Sequence, residues 1–234
     1  MVPTMITKYG LREVVVLTIV LLGVCAVAAW LAVMLCLVFG LISLIAIIVW
    51  VWVLWFFRDP ARETPTDEGL FISPADGIVA DITPLGPESK LAENGVQIGI
   101  FMNIFNVHVN RIPCDGQIED IAYQKGAFLD VRDPNASERN ESATIRMTHT
   151  YKGKKYTVIF RQIAGLVARR IVTALEKGQT VTRGQRMGMI KFGSRLELLL
   201  PQELAGEICV SLAQQVRAGE TILAKCEQEE PNNG

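Results

Sequence analysis

Residues 191–201 read KFGSRLELLLP, and Ser194 is the residue there best suited to covalent chemistry. It follows a glycine, precedes an arginine and opens an apolar run closed by Pro201. Three readings are open: a turn serine, a nucleophile, or a serine that is itself converted into something else. A nucleophilic serine needs a base, and the chain offers two histidines, His108 in NVHVNRIP and His149 in THTYKG. Imidazole works as acid or base near neutrality because its ordinary pKa is about 6.5. His108 lies in an alternating, strand-like stretch and is the candidate base. His149 sits among polar residues and is expected at the surface. Asp76, in PADG, is on local grounds a turn residue.

Several chemistries lack their residues. The G-x-S-x-G elbow of serine hydrolases is absent around Ser194. Two isolated histidines do not make a hydrolytic metal site, and neither stands at zinc-ligand spacing from a cysteine. No GxGxxG or GxxxxGK[ST] phosphate loop occurs.

The elements that must position these residues are short. GIVADI (77–82), VQIGIF (96–101), KYTVIF (155–160) and LELLL (196–200) have strand lengths and β-branched content. PADG (74–77), PLGP (84–87), PCDG (113–116) and YKGKK (151–155) punctuate them as turns. Helical pattern is scarce. LVARRIVTALEKG (166–178) fits either a helix ending at Gly178 or a strand followed by a turn. GQTVTRGQRMGMI (178–190) and AQQVRAGETILAK (213–225) form a weak repeat around V-x-x-G. Such hairpins resemble lipoyl- and biotinyl-type folded sheets, although the attachment lysine of those carriers is lacking. The fold expected is mainly β, a sandwich or barrel-sandwich.

The N-terminal quarter is different. Val14 to Phe57, 44 residues, contains no Asp, Glu, Lys, Arg or His, and its side-chain hydroxyls are Thr18 and Ser43. A membrane span takes about 20 apolar residues, so this block suits two, placed near 14–34 and 38–57 with the turn around Gly40 or, second, Gly23. It far exceeds the apolar core of a signal peptide. Lys8 and Arg12 precede it, and Arg58 and Arg62 follow. A hairpin keeps both basic ends on one side, the cytoplasmic one. Trp50, Trp52, Trp55, Phe56 and Phe57 gather at its end as an interfacial belt would. Residues 1–57 are read as a membrane hairpin, 58–69 as a linker and 70–234 as the β-rich domain.

The 234 residues carry a formal charge of −1, and the part after Phe57 holds 21 basic and 23 acidic residues. No basic patch argues for nucleic acid. Five scattered cysteines without CxxC suit reduced thiols.

Five segments together resemble the phosphatidylserine decarboxylase proenzyme family in its short form. They are FFRDPAR (56–62), SPADGIV (73–79), MNIFNVHVNRIP (102–113), QIAGLVARRI (162–171) and RMGMIKFGSRLELLLP (186–201), in that family's order. The resemblance implies self-processing. The Ser194 hydroxyl attacks the Gly193 carbonyl and turns the amide into an ester. Elimination cuts the chain and leaves dehydroalanine at 194; hydrolysis releases ammonia and leaves a pyruvoyl group. The products are a β chain, 1–193, and an α chain, 194–234, packed together. The pyruvoyl group is the cofactor, with no metal. It forms a Schiff base with phosphatidylserine, and the product is phosphatidylethanolamine.

The resemblance also distributes roles. Ser194, His108 and Asp76 form the catalytic set, with His108 as base and Asp76 orienting it. In longer family forms the triad histidine is a second one, at the position of Arg111 here, so either His108 takes over both tasks or Arg111 has another role; those forms also read LGST where this chain has FGSR. Arg111 and Arg195 are therefore candidates for binding the anionic head group. The partners implied are a membrane phospholipid and the two chains of one precursor, with no nucleic acid. The oligomeric state is left open, a homodimer included. The location implied is the cell (inner) membrane, with the active domain on the cytoplasmic side. Two rival readings remain: a decarboxylase for another serine-headed lipid, such as an archaetidylserine-like one, and a noncatalytic membrane-tethered β-sandwich module.

Overall fold

The computed structural model describes residues 7, 9–35, 37–127, 129, 136–165, 170–191 and 194–227. The chain divides into two units, residues 1–61 and 62–234. The first is a pair of helices, α1 (Leu11–Leu35) and α2 (Leu37–Phe56), each long and apolar enough to cross a membrane. They run antiparallel. Trp50 Nε1 donates to Thr18 Oγ1 at 2.9 Å, and the Thr7 amide donates to the Phe57 carbonyl at 3.0 Å. One of the two hydroxyls in the apolar block thus joins the two helices. Gly23 and Gly40 lie inside α1 and α2, not at the turn. A single glycine costs a helix only about 1 kcal/mol, which the apolar helix formers on either side offset.

The second unit is built from strands. In chain order they are β1 (Leu70–Ile72), β2 (Gly77–Leu85), β3 (Gly95–Met102), β4 (Val109–Arg111) and β5 (Gly116–Gln124). After the single-turn helix α3 (Ala136–Arg139) come β6 (Ser142–Tyr151), β7 (Lys154–Ala164), β8 (Arg170–Thr173), β9 (Thr180–Val181) and β10 (Arg186–Lys191). The last four are β11 (Ser194–Pro201), β12 (Glu207–Ile208), β13 (Gln215–Val216) and β14 (Ile222–Lys225). The main sheet is antiparallel with order β13-β2-β3-β11-β7-β6-β5-β9; β4-β10-β8 and β1-β14-β12 form two smaller sheets. The ambiguous stretch 166–178 contains strand β8 at its described positions, followed by a turn at Lys177–Gly178; residues 166–169 lie outside the described residues.

The repeat proves structural. Strand β13 pairs with the start of β2 (Val216 with Gly77), and β9 pairs with the start of β5 (Val181 with Gly116). The Val79 amide donates to Gln214 O and the Ile118 amide to Gln179 O, both at 2.9 Å. Register shifts fall at Val79/Asp81 in β2 and at Ile118/Asp120 in β5. Such bulges bend a strand, and this pair curls the sheet at matching places in its two halves. Gly184 and Gly219 take φ values of +80° and +82° at equivalent turns, where a side chain would be strained.

The core lies on one face of this curled sheet. Leu196, Leu198 and Leu200 of β11 are fully buried there with Ile98, Ile100, Met102, Val158 and Phe160. Each such side chain contributes about 1.5–3 kcal/mol by leaving water. These contacts fix β11 between β3 and β7 along its length.

Candidate active site

Antiparallel pairing gathers the sequence candidates at one end of the main sheet. Ser194, the first residue of β11, stands opposite Met102 at the end of β3 and Ala164 at the end of β7. Asp76 immediately precedes β2, whose first residues pair with the same end of β3. The loop 103–107 leaves Met102 and leads to His108 and β4. Asp76, Asn103 and Asn106 line one cleft of about 360 Å³.

Ser194 and His108 are both fully buried. His108 Nδ1 lies 2.9 Å from the Asn106 carbonyl oxygen. A carbonyl can only accept, so Nδ1 carries the proton and Nε2 is left as the basic nitrogen. The Asp76 carboxylate receives Arg62 Nη2 at 2.8 and 3.0 Å and the Ala218 amide at 2.7 Å. In the other half of the repeat, Asp115 takes the Arg183 amide at 2.8 Å in the same way. Capping the V-x-x-G turn is thus common to both aspartates. Asp76 is set apart by its ion pair with Arg62 and by its place beside the loop to His108.

Residues that the sequence did not single out complete the surroundings of Ser194. Its Oγ donates to Met102 Sδ at 3.4 Å, and Asn110 Nδ2 points to the same sulfur at 3.8 Å. Gln162 Nε2 donates to Asn110 Oδ1, and Thr173 Oγ1 donates to Gln162 Oε1, both at 2.9 Å. The chain links β8, β7, β4 and β3, so it ties the small sheet to the main one beside the serine. It also fixes which end of the Asn110 amide faces Met102. Such residues are hard to find in a sequence, since Asn and Gln look like surface residues. For Gln162 the signal was alternation, which puts it in step with Val158 and Phe160 on the core face of β7. Gln162→Leu removes both bonds at similar size and leaves a buried Asn110 acceptor unmet. We expect a loss of about 1–3 kcal/mol, read from the chemical denaturation midpoint.

The arginines part company. In a strand, neighbours point to opposite faces, so Arg195 leaves Ser194 on the core side and turns to the other. There its guanidinium meets Asp81 at 2.5 and 2.9 Å and Glu197 at 3.0 Å. Burial opposes its charge, yet the two carboxylates outweigh that and raise its pKa. Arg195 and Ser194 therefore point to opposite faces of the sheet. Arg111 stays at the site end: its amide donates to Pro74 O at 2.9 Å and its Nη1 to Gly184 O at 3.0 Å. Gly193, the other half of the expected cleavage site, lies outside the described residues.

His149 differs from expectation. It is 9% exposed, with Nδ1 at 2.7 Å from Asp115 O and its ring edge-on to Phe71. Period-two alternation places it on the same face as Ile145 and Met147, and its polar neighbours Thr148 and Thr150 face the other way. Among the described residues no cluster of three or more His, Cys, Asp or Glu is arranged to hold a metal.

Fold and site together define a mainly β protein, with an apolar helix pair, whose reactive candidate is a serine sealed at the head of a central strand. The model of the family described as phosphatidylserine decarboxylase matches residues 50–224. Three proteins named phosphatidylserine decarboxylase proenzyme are similar over most of the chain. The one from Geobacter metallireducens is 48% identical over 73% of this chain and 76% of its own. That from Paramagnetospirillum magneticum is 46% identical over 76% and 74%. That from Geotalea uraniireducens is 43% identical over 85% and 91%. The chain belongs to the phosphatidylserine decarboxylase family.

Proposed function

We propose that this chain cuts itself between Gly193 and Ser194 and uses the resulting pyruvoyl group to convert phosphatidylserine to phosphatidylethanolamine. Family membership supports the reaction. The observation that carries the mechanism is the position of Ser194: a fully buried hydroxyl at the head of β11, on the sheet end that also holds Asp76 and the loop to His108.

The surroundings of Ser194 fit the group. Its side chain already rests on the apolar sulfur of Met102, which suits a methyl group equally. The Asn110 amide offers a donor nearby, and a buried ketone oxygen needs one. The group supplies an electron sink: a carbonyl that condenses with the substrate amine and accepts the electrons released with carbon dioxide.

The chain's own residues do the rest. His108 Nε2 removes the Ser194 hydroxyl proton for attack on the Gly193 carbonyl, and returns protons later as an acid. Asp76, its carboxylate held by Arg62 and the Ala218 amide, borders the same cleft as the loop that leads to His108 and helps to set that loop's position. Arg111 supplies positive charge for the phosphate or carboxylate of the head group. Burial of Ser194 excludes bulk water from the reacting bond. The helix pair anchors the domain to the cytoplasmic face of the cell membrane, so the lipid need not leave the bilayer.

Denaturing mass spectrometry of the purified chain tests this reading. Two fragments are expected, the shorter beginning at residue 194 with a blocked, borohydride-reducible end. One intact chain in an active preparation would overturn it.

A further inference from the structure

The face of β11 turned away from the core carries an ion network that the proposed chemistry does not use. Arg195 bonds Asp81 of β2 through both Nη atoms, at 2.5 and 2.9 Å, and Glu197 Oε1 through Nε at 3.0 Å. Glu197 Oε2 receives Arg161 Nη1 of β7 at 2.9 Å, and Glu197 Oε1 also receives Ser137 Oγ at 2.7 Å. Arg161 Nη2 donates to Ser137 O at 2.8 Å. The Arg195, Arg161 and Glu197 side chains are only 11%, 5% and 1% exposed. On β3, between Arg195 and Asp81, stands Gly99; a Cβ there would overlap Arg195 Nη2 and Asp81 Oδ2. The strand leaves a gap through which the pair meets.

Buried charges are costly, and an apolar pair would often hold such a strand as well. Leu199, next on the same face, is apolar and buried. The charges therefore call for a reason, and register provides one. The core face of β11 reads Leu196, Leu198, Leu200. A slip of two residues keeps every leucine on the core side, so the hydrophobic pattern resists it poorly. The charges resist it in both directions. One slip puts Glu197 against Asp81, the other puts Arg195 against Arg161, and each is a meeting of like charges. While the chain is intact, the head of β11 stays covalently tied, three positions back, to Lys191 at the end of β10. After the cut proposed above, the head of β11 is a free end bearing the reactive group.

We propose that the Asp81–Arg195–Glu197–Arg161 network is a register anchor that positions the new chain end after self-cleavage. Arg195 and Glu197 belong to the short product, and Asp81, Arg161 and Ser137 to the long one, so the network crosses the cut. The anchor rests on the cleavage reading, and its role is positioning: it touches no reacting atom.

The test pairs Glu197→Leu with Arg161→Met in the full chain, in parallel with the same changes in an uncleavable Ser194→Ala chain. Hydrogen exchange at the amides of residues 196–200 is the readout, alongside turnover of phosphatidylserine in mixed micelles. In the cut protein we expect exchange about tenfold faster and kcat about tenfold lower with KM within about twofold. In the uncut chain, exchange should stay within about twofold of its parent. Asp81→Asn, at a half-exposed site, should give the same contrast if the double variant does not fold, and Asp81→Glu should restore the parent behaviour. Equal acceleration in cut and uncut chains, or none in either, would overturn the anchor. A parent that remains one piece would overturn the cleavage reading instead.

Discussion

Ser194→Ala is expected to remain a single chain of 25.8 kDa and to lose decarboxylation entirely. On the proposed mechanism two losses coincide. Without Oγ no atom attacks the preceding carbonyl, so the backbone is not cut. Without the cut, the ketone that stabilises the Cα carbanion never forms. Decarboxylation should then fall to the uncatalysed rate, which lies at least about 10⁶-fold below an enzymatic one. Folding should survive. Ser194 is buried, but its hydroxyl donates only weakly, to the Met102 sulfur at 3.4 Å. Its removal should change stability by about 1 kcal/mol or less. Gel mobility, head-group assay and a thermal melt on one preparation check all three parts. Cleavage in the alanine variant would end the assignment of this serine.

His108→Ala gives the second large effect. A general base contributes about 10²–10⁴-fold, and the rate of self-cleavage should fall by that order. The Asn106 carbonyl fixes the tautomer, so a side chain that fills the space without a basic nitrogen, such as His108→Leu, should be as slow. Pulse-labelled precursor followed over hours separates slow cutting from none. Normal processing in either variant would move the base elsewhere.

Much of the fold was legible because its strands obey simple rules. Alternation and β-branching located β2, β3, β7 and β11, and the absence of charge over 44 residues located the helix pair. The V-x-x-G repeat marked a real duplication. Its partners, PADG and PCDG, were seen as turns, but their equivalence appears only once Gly77 meets Val216 and Gly116 meets Val181. Where local chemistry competed with a larger context, the sequence misled. Gly40 looked like a turn but lies within α2, where the strong helix pattern around it outweighs one glycine. His149 looked exposed because flanking polar residues occupy the opposite face of its strand. The ion pairing of Arg195 was only half visible, since Glu197 lies two residues on in the same strand but Asp81 is far away in the chain. Asn110 and Gln162 meet across two sheets, a relation that sequence spacing does not encode.

The place of β11 has one more consequence. It lies inside the main sheet, with β3 along one edge and β7 along the other. In a newly made chain it arrives there tied to its neighbours, and folding is a first-order event. Once matured by the proposed route, the same molecule is two polypeptides, and melting it would release the shorter one into solution. Recovery would then be a bimolecular encounter, in competition with sticky, vacated edges of β3 and β7. The mature form would owe its persistence to a slow rate of opening rather than to an equilibrium it can revisit. Such a protein would be assembled far more readily before the cut than after it.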